Sequence, residues 1–115
     1  MKNLMVYDWE FKNPYYESVD KSKFKLHFFE NALDIVDESN ESFQGVISHY
    51  SPKQFALKFN DEIRKDSFPI ICYRETNEAF QSAQDFFDKL NLPKENLYCA
   101  ENPNELSDLL EKIFK

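Results

Sequence analysis

Three short stretches of this sequence end in groups able to do chemistry: Asp8-Trp9-Glu10, Ser48-His49 and Tyr73-Arg74-Glu75. A pair of carboxylates such as Asp8 and Glu10 is what a hard divalent cation takes as ligands, although Mg²⁺ asks for more oxygen donors than these two supply. Their plainer role is a polar exit from an apolar segment. His49 could accept a phosphoryl group or act as a base, and Ser48 could act as a nucleophile. Neither has an activating partner at a recognisable spacing, and no Ser-His-Asp arrangement can be drawn from the chain. Arg74 has two readings: a guanidinium that pairs with Asp8, Glu10 or Glu101 and fills the cleft these stretches would line, or a solvated loop residue. Trp9 is an aromatic for the mouth of that cleft, as a plug or as part of a binding surface. His27 lies in a strand-like run and reads as structural.

These groups follow short apolar runs that must position them. Leu4 to Tyr7, Phe24 to Phe29, Gly45 to Ser48, Pro69 to Tyr73 and Asn96 to Cys99 read as five strands. Short, continuously apolar runs of this kind suit strands covered on both faces. Between them lie helical patterns. Asn13 and Pro14 can start a short helix through Tyr15, Tyr16 and Val19, and residues 31–38 put Ala32, Leu33, Ile35 and Val36 on one side. Phe55, Phe59 and Ile63 recur at helical spacing from about Pro52 to Lys65, and Ala79 to Leu90 gives the clearest apolar stripe. The last helix carries a full start signal, with Asn102 as cap, Pro103 in the first position and Glu105 able to return a hydrogen bond.

Strands alternating with helices predict an α/β fold: a doubly wound, five-stranded parallel sheet with helices on both faces. The common strand order for five strands is 2-1-3-4-5, in the flavodoxin-like manner. Its reactive or binding cleft lies outside the carboxyl ends of strands one, three and four. Those are the ends that carry the three stretches named above.

Composition narrows the function classes. With 115 residues the chain makes a single domain with a proper core. One glycine in the whole sequence leaves no material for a glycine-rich phosphate loop. A formal charge of −7 argues against nucleic acid as a partner. No apolar run approaches the ~20 residues of a membrane span, and no export signal is visible at the start of the chain. The expectation is a cytoplasmic protein with no membrane contact. Cys72 and Cys99 both sit in apolar runs and are expected to be small buried hydrophobes rather than a disulfide or redox pair.

The order and spacing of Pro69-Ile70-Ile71, Tyr98 and the helix from Asn104-Glu105-Leu106 to Ile113 resemble the response-regulator receiver domain of bacterial two-component signal transduction. The resemblance covers essentially the whole chain. It implies an acidic pair after strand one, a phosphoacceptor aspartate ending strand three, a hydroxyl after strand four and a lysine after strand five. Carried across, Asp8 matches the first acidic position and Trp9 falls on the second, with Glu10 following. The phosphoacceptor position falls on Ser48 or His49, the hydroxyl on Arg74, and the lysine on Glu101 or Asn102. Phosphotransfer needs the carboxylate nucleophile, the cation and the cationic clamp together. The resemblance therefore implies a degenerate pseudo-receiver, not an enzyme, with no cofactor and no metal.

What it implies for function is protein–protein interaction in trans, since the chain shows no output domain, with a homodimer as one form of it. The family's interaction face would run over residues 78–89, Tyr98 and residues 104–112, where Tyr98 stands at the position of the family's switching aromatic. Two alternatives stay open. One is a flavodoxin-like domain that binds or transforms a small molecule in the cleft, although Asp8 to Lys12 offer no flavin phosphate loop. The other is an atypical but active phospho-receiver.

Overall fold

Leu4, Met5 and Val6 are all fully buried, although neighbouring residues of a strand point to opposite faces. The segment must therefore be covered on both sides, and the architecture supplies that cover. The structure, a computed structural model, describes residues 1–8, 13–29, 43–49, 53–58, 60–65 and 68–114, apart from the side chains of 54, 55, 58, 62 and 65.

Five strands form one parallel sheet in the order β2-β1-β3-β4-β5: β1 (Lys2–Tyr7), β2 (Phe24–Phe29), β3 (Gly45–Ser48), β4 (Ile70–Tyr73) and β5 (Leu97–Ala100). This is the doubly wound, flavodoxin-like order expected from the sequence. Around it lie α1 (Lys53–Lys58), α2 (Asn60–Lys65), α3 (Asn77–Lys89) and α4 (Pro103–Ile113). The two cores divide by strand parity. Met5, Val46, Ile70 and Cys72 meet Ala56 of α1, Ile63 of α2 and Ala83 and Phe87 of α3. Leu4, Val6, Ile47, Ile71 and Tyr73 meet Tyr16, Val19 and Leu106 and Leu110 of α4. No described helix is long and apolar enough to cross a membrane.

The helix ends follow from local chemistry. Thr76 Oγ1 accepts from Ala79 N at 3.0 Å and caps α3. At its other end Asn91 takes φ 55, a left-handed turn that asparagine tolerates. Asn91 N then donates to Asp88 O and Leu92 N to Phe87 O, while Leu92 and Phe87 share a core. Gly45 admits a close approach, because a Cβ there would stand 3.0 Å from Pro69 O.

Several expected elements differ in detail. The segment after Asn13 is a 3₁₀ turn (Asn13–Tyr15) followed by further turns, not an α-helix. Tyr16 N bonds Asn13 O and Val19 N bonds Tyr16 O, both three-residue closures, and Asp20 then folds its carboxylate onto Ser22 N and Oγ. Strand β5 starts one residue later than expected, since Asn96 ends a second 3₁₀ turn (Lys94–Asn96) and donates Nδ2 to Ile63 O. Cys72 is buried as expected, but Cys99 is only partly so, because β5 is the sheet's edge. The helix expected over residues 31–38 lies outside the described residues.

Candidate functional site

Asp8 is the first residue past β1. Its N–H donates to Phe29 O at 3.1 Å, extending the β1–β2 ladder by one step, and the residue is 1 % exposed. A carboxylate so far from water needs donors or a cation. It has both. Tyr16 Oη donates to Asp8 Oδ2 at 2.5 Å, and Arg74 Nη2 lies 3.2 Å from the same oxygen.

Tyr16 is delivered by the 3₁₀ turn. Lys21 Nζ holds the turn from behind by donating to Tyr16 O and Val19 O, and Ser18 Oγ ties it to α4 by donating to Pro103 O at 2.6 Å. The Tyr16 ring stands edge-on to Phe28 and to Tyr73, with centroids 5.2 and 5.5 Å away. Burial, then the hydrogen bond to Asp8 and the Asp8 charge, push the Tyr16 phenol far above its ordinary pKa. It therefore stays a neutral donor at any physiological pH.

Arg74 is the first residue past β4, and its backbone takes φ 58. A non-glycine residue there carries local strain, held here by Arg74 N donating to Ala100 O at 2.9 Å. The turn sends the side chain back over the sheet end. Strands β1 and β4 are separated by β3, so their ends lie on the order of 9.5 Å apart, and an arginine is long enough to cross. Its guanidinium carbon sits 3.6 Å over the Tyr15 ring centroid and 5.1 Å from that of Tyr73. Planar stacking of this kind on a desolvated aromatic contributes about 2 kcal/mol or more. The side chain is 12 % exposed. Nη1 and Nη2 are buried and make no well-aligned hydrogen bond among the described residues, so the link to Asp8 is chiefly one of charge. Tyr73 Oη donates to Tyr15 O at 2.5 Å, closing the cluster, and burial raises its phenol to about 12.

The other residues singled out in the sequence are placed elsewhere. Ser48 is buried and pairs in register with Tyr7 and Cys72, which puts it on the Met5–Cys72 face, whereas the Asp8 carboxylate meets Tyr16 on the other. His49 continues the β1–β3 ladder through its N–H to Tyr7 O, and its Nδ1 lies 3.2 Å from Tyr73 O. Asn102 serves as the α4 cap, with Glu105 N donating to its Oδ1 at 2.9 Å. The Glu105 carboxylate returns its bond to Glu101 N at 2.7 Å, one residue before the cap, which differs from the reciprocal pair expected. Glu101 is exposed, and Tyr98 is partly buried against the α4-side core. Trp9 and Glu10 lie outside the described residues. Of the candidates, then, Asp8 and Arg74 come together.

Tyr73 and Glu75, which flank Arg74 in the expected strand-four stretch, and Tyr15 and Tyr16, which were not expected here, complete the neighbourhood. Alternation along β4 puts Tyr73 on the face of Ile71, the side on which Tyr16 meets Asp8. Glu75 is held above its ordinary pKa by burial, with His49 and Arg74 acting against that shift. Among the described residues no group of three or more His, Cys, Asp or Glu is placed to share a metal ion. The chemistry of the cluster is neutralisation: one buried carboxylate, one buried guanidinium and two phenols held protonated. No family model matches the chain, and no curated protein and no solved structure matches it either.

Proposed function

We propose that this domain is a phosphorylation-independent pseudo-receiver, a signalling or regulatory module of the bacterial cytoplasm that acts by binding a protein partner in trans. The observation that supports this reading is the Asp8–Arg74 contact, in which a buried guanidinium stands against the first acidic residue after strand one. A receiver needs that carboxylate for a divalent cation and needs the residue after strand four for the phosphoryl group. Here each consumes the other. Ser48 or His49, in place of an aspartate, leaves no carboxylate nucleophile at the end of β3.

The partner would be met on the surface of α3, β5 and α4, where residues such as Glu78, Gln81, Asp85 and Asp108 are exposed. A second copy of the chain is one such partner.

Incubating the purified protein with acetyl phosphate and Mg²⁺, followed by intact mass, tests the reading. The expected spectrum is unchanged, and a phosphoryl adduct lost on acid or hydroxylamine treatment would overturn it. Sedimentation across a concentration range then separates a self-associating domain from one that waits for a different protein.

A further inference from the structure

Strands β4 and β5 run in parallel with Cys72 opposite Cys99 in register. Hydrogen-bonded neighbours of a sheet lie about 4.7 to 4.9 Å apart, inside the roughly 4.4 to 6.8 Å that a disulfide spans between Cα atoms. The two side chains also share a face. Ile70, Cys72 and Leu97 belong to one core, and Ile71, Tyr73, Tyr98 and Ala100 to the other, so Cys99 projects to the side of Cys72. Cys72 is 1 % exposed, whereas Cys99 on the edge strand is partly open to solvent.

We propose that Cys72 and Cys99 are a modification site: a dithiol that a low-molecular-weight disulfide such as oxidised glutathione closes into an intrachain cross-strand bond. The order of events follows from exposure. The Cys99 thiolate attacks one sulfur of the oxidant, giving a mixed disulfide on Cys99 and releasing one glutathione thiolate. The Cys72 thiolate then attacks the Cys99 sulfur and displaces the second. The protein loses two thiol protons and two electrons, and the oxidant's sulfur–sulfur bond is reduced to two glutathione thiols. Burial raises the Cys72 thiol to about 12, and burial with the Glu101, Glu105 and Glu75 charges raises that of Cys99. The first step is accordingly slow, and Cys72 reacts only when a sulfur is already beside it. The closed bond would staple β4 to β5 two residues before Arg74, whose N–H is held by Ala100 O.

The test treats the folded full-length chain with oxidised glutathione and reads intact mass and a non-reducing peptide map. The expected product has lost two hydrogens and links the peptides of Cys72 and Cys99 within one chain. Cys72→Ser should instead stop at a stable glutathione adduct on Cys99, and Cys99→Ser should stay unmodified. A wild-type chain that keeps a stable adduct, forms a disulfide-linked dimer or stays fully reduced would overturn the proposal. The wild-type peptide map decides the matter alone if Cys72→Ser does not fold. None of these outcomes bears on phosphorylation.

Discussion

The carboxyl edge of the sheet has two halves built from similar residue types and worth different amounts. At the ends of β1 and β4, Asp8, Arg74 and three tyrosines form a dry cluster in which Asp8 is fully buried. At the end of β5, Glu101, Asn102 and Glu105 satisfy the first turn of α4 in contact with water. Charge and hydrogen bonding therefore matter in proportion to the solvent they replace. An unmade bond in the dry half has no substitute, whereas water replaces one in the wet half at small cost.

Removing one member of the buried pair should be the costliest change to the dry half. Arg74→Met takes the cation away from Asp8, and Asp8→Asn takes the anion away from the guanidinium; each should cost about 3 to 5 kcal/mol in urea unfolding. Asp8→Asn combined with Arg74→Met should cost less than the two single losses together, and strict additivity would mean the pair does not interact. Next comes Tyr16→Phe, which deletes one donor to the buried carboxylate and should cost about 1 to 3 kcal/mol.

Alkaline pH probes the same half without mutation. The phenols of Tyr16 and Tyr73 and the thiol of Cys72 titrate higher in the folded state than in the unfolded chain. Their neutral forms contribute stability in full below the unfolded values of about 9 to 10. That contribution is lost as pH rises toward about 12, where Tyr73 and Cys72 ionise in the folded protein. The urea midpoint should fall steeply above pH ~9, and Tyr73→Phe should flatten the decline. A midpoint independent of pH would place these groups in water.

The wet half should respond weakly. Asn102→Ala should cost about 1 kcal/mol as the loss of one helix cap, with far-ultraviolet dichroism otherwise unchanged. Smaller still is Lys23→Ala, which removes an exposed pair with Glu111 at 2.9 Å and should leave the unfolding curve where it was.

The framework was legible because its signals are local. Leu4-Met5-Val6 and Ile70-Ile71-Cys72 are uninterrupted apolar runs, the stripe from Ala79 to Leu90 has helical period, and Asn102-Pro103 opens a helix by its own chemistry. The site was legible as a set of strand ends, with an Arg74–carboxylate pair as one of two readings of that arginine. That Arg74 turns inward rests on its left-handed backbone and on the aromatic wall of Tyr15, neither of which leaves a pattern in sequence. Tyr16 escaped for a similar reason. Its reach to Asp8 depends on the chain making a 3₁₀ turn, whereas Pro14 suits the start of either kind of helix.

The cation facing Asp8 is part of the polypeptide. A metal counterion comes and goes with its free concentration, and a chelator can strip it; a tethered guanidinium has a fixed local concentration that neither dilution nor chelation lowers. Buried contacts of this kind are also little screened by salt. The charge state at the end of β1 is therefore written into the chain rather than set by the medium, and the domain should hold one electrostatic setting across the range of ionic conditions a cell passes through.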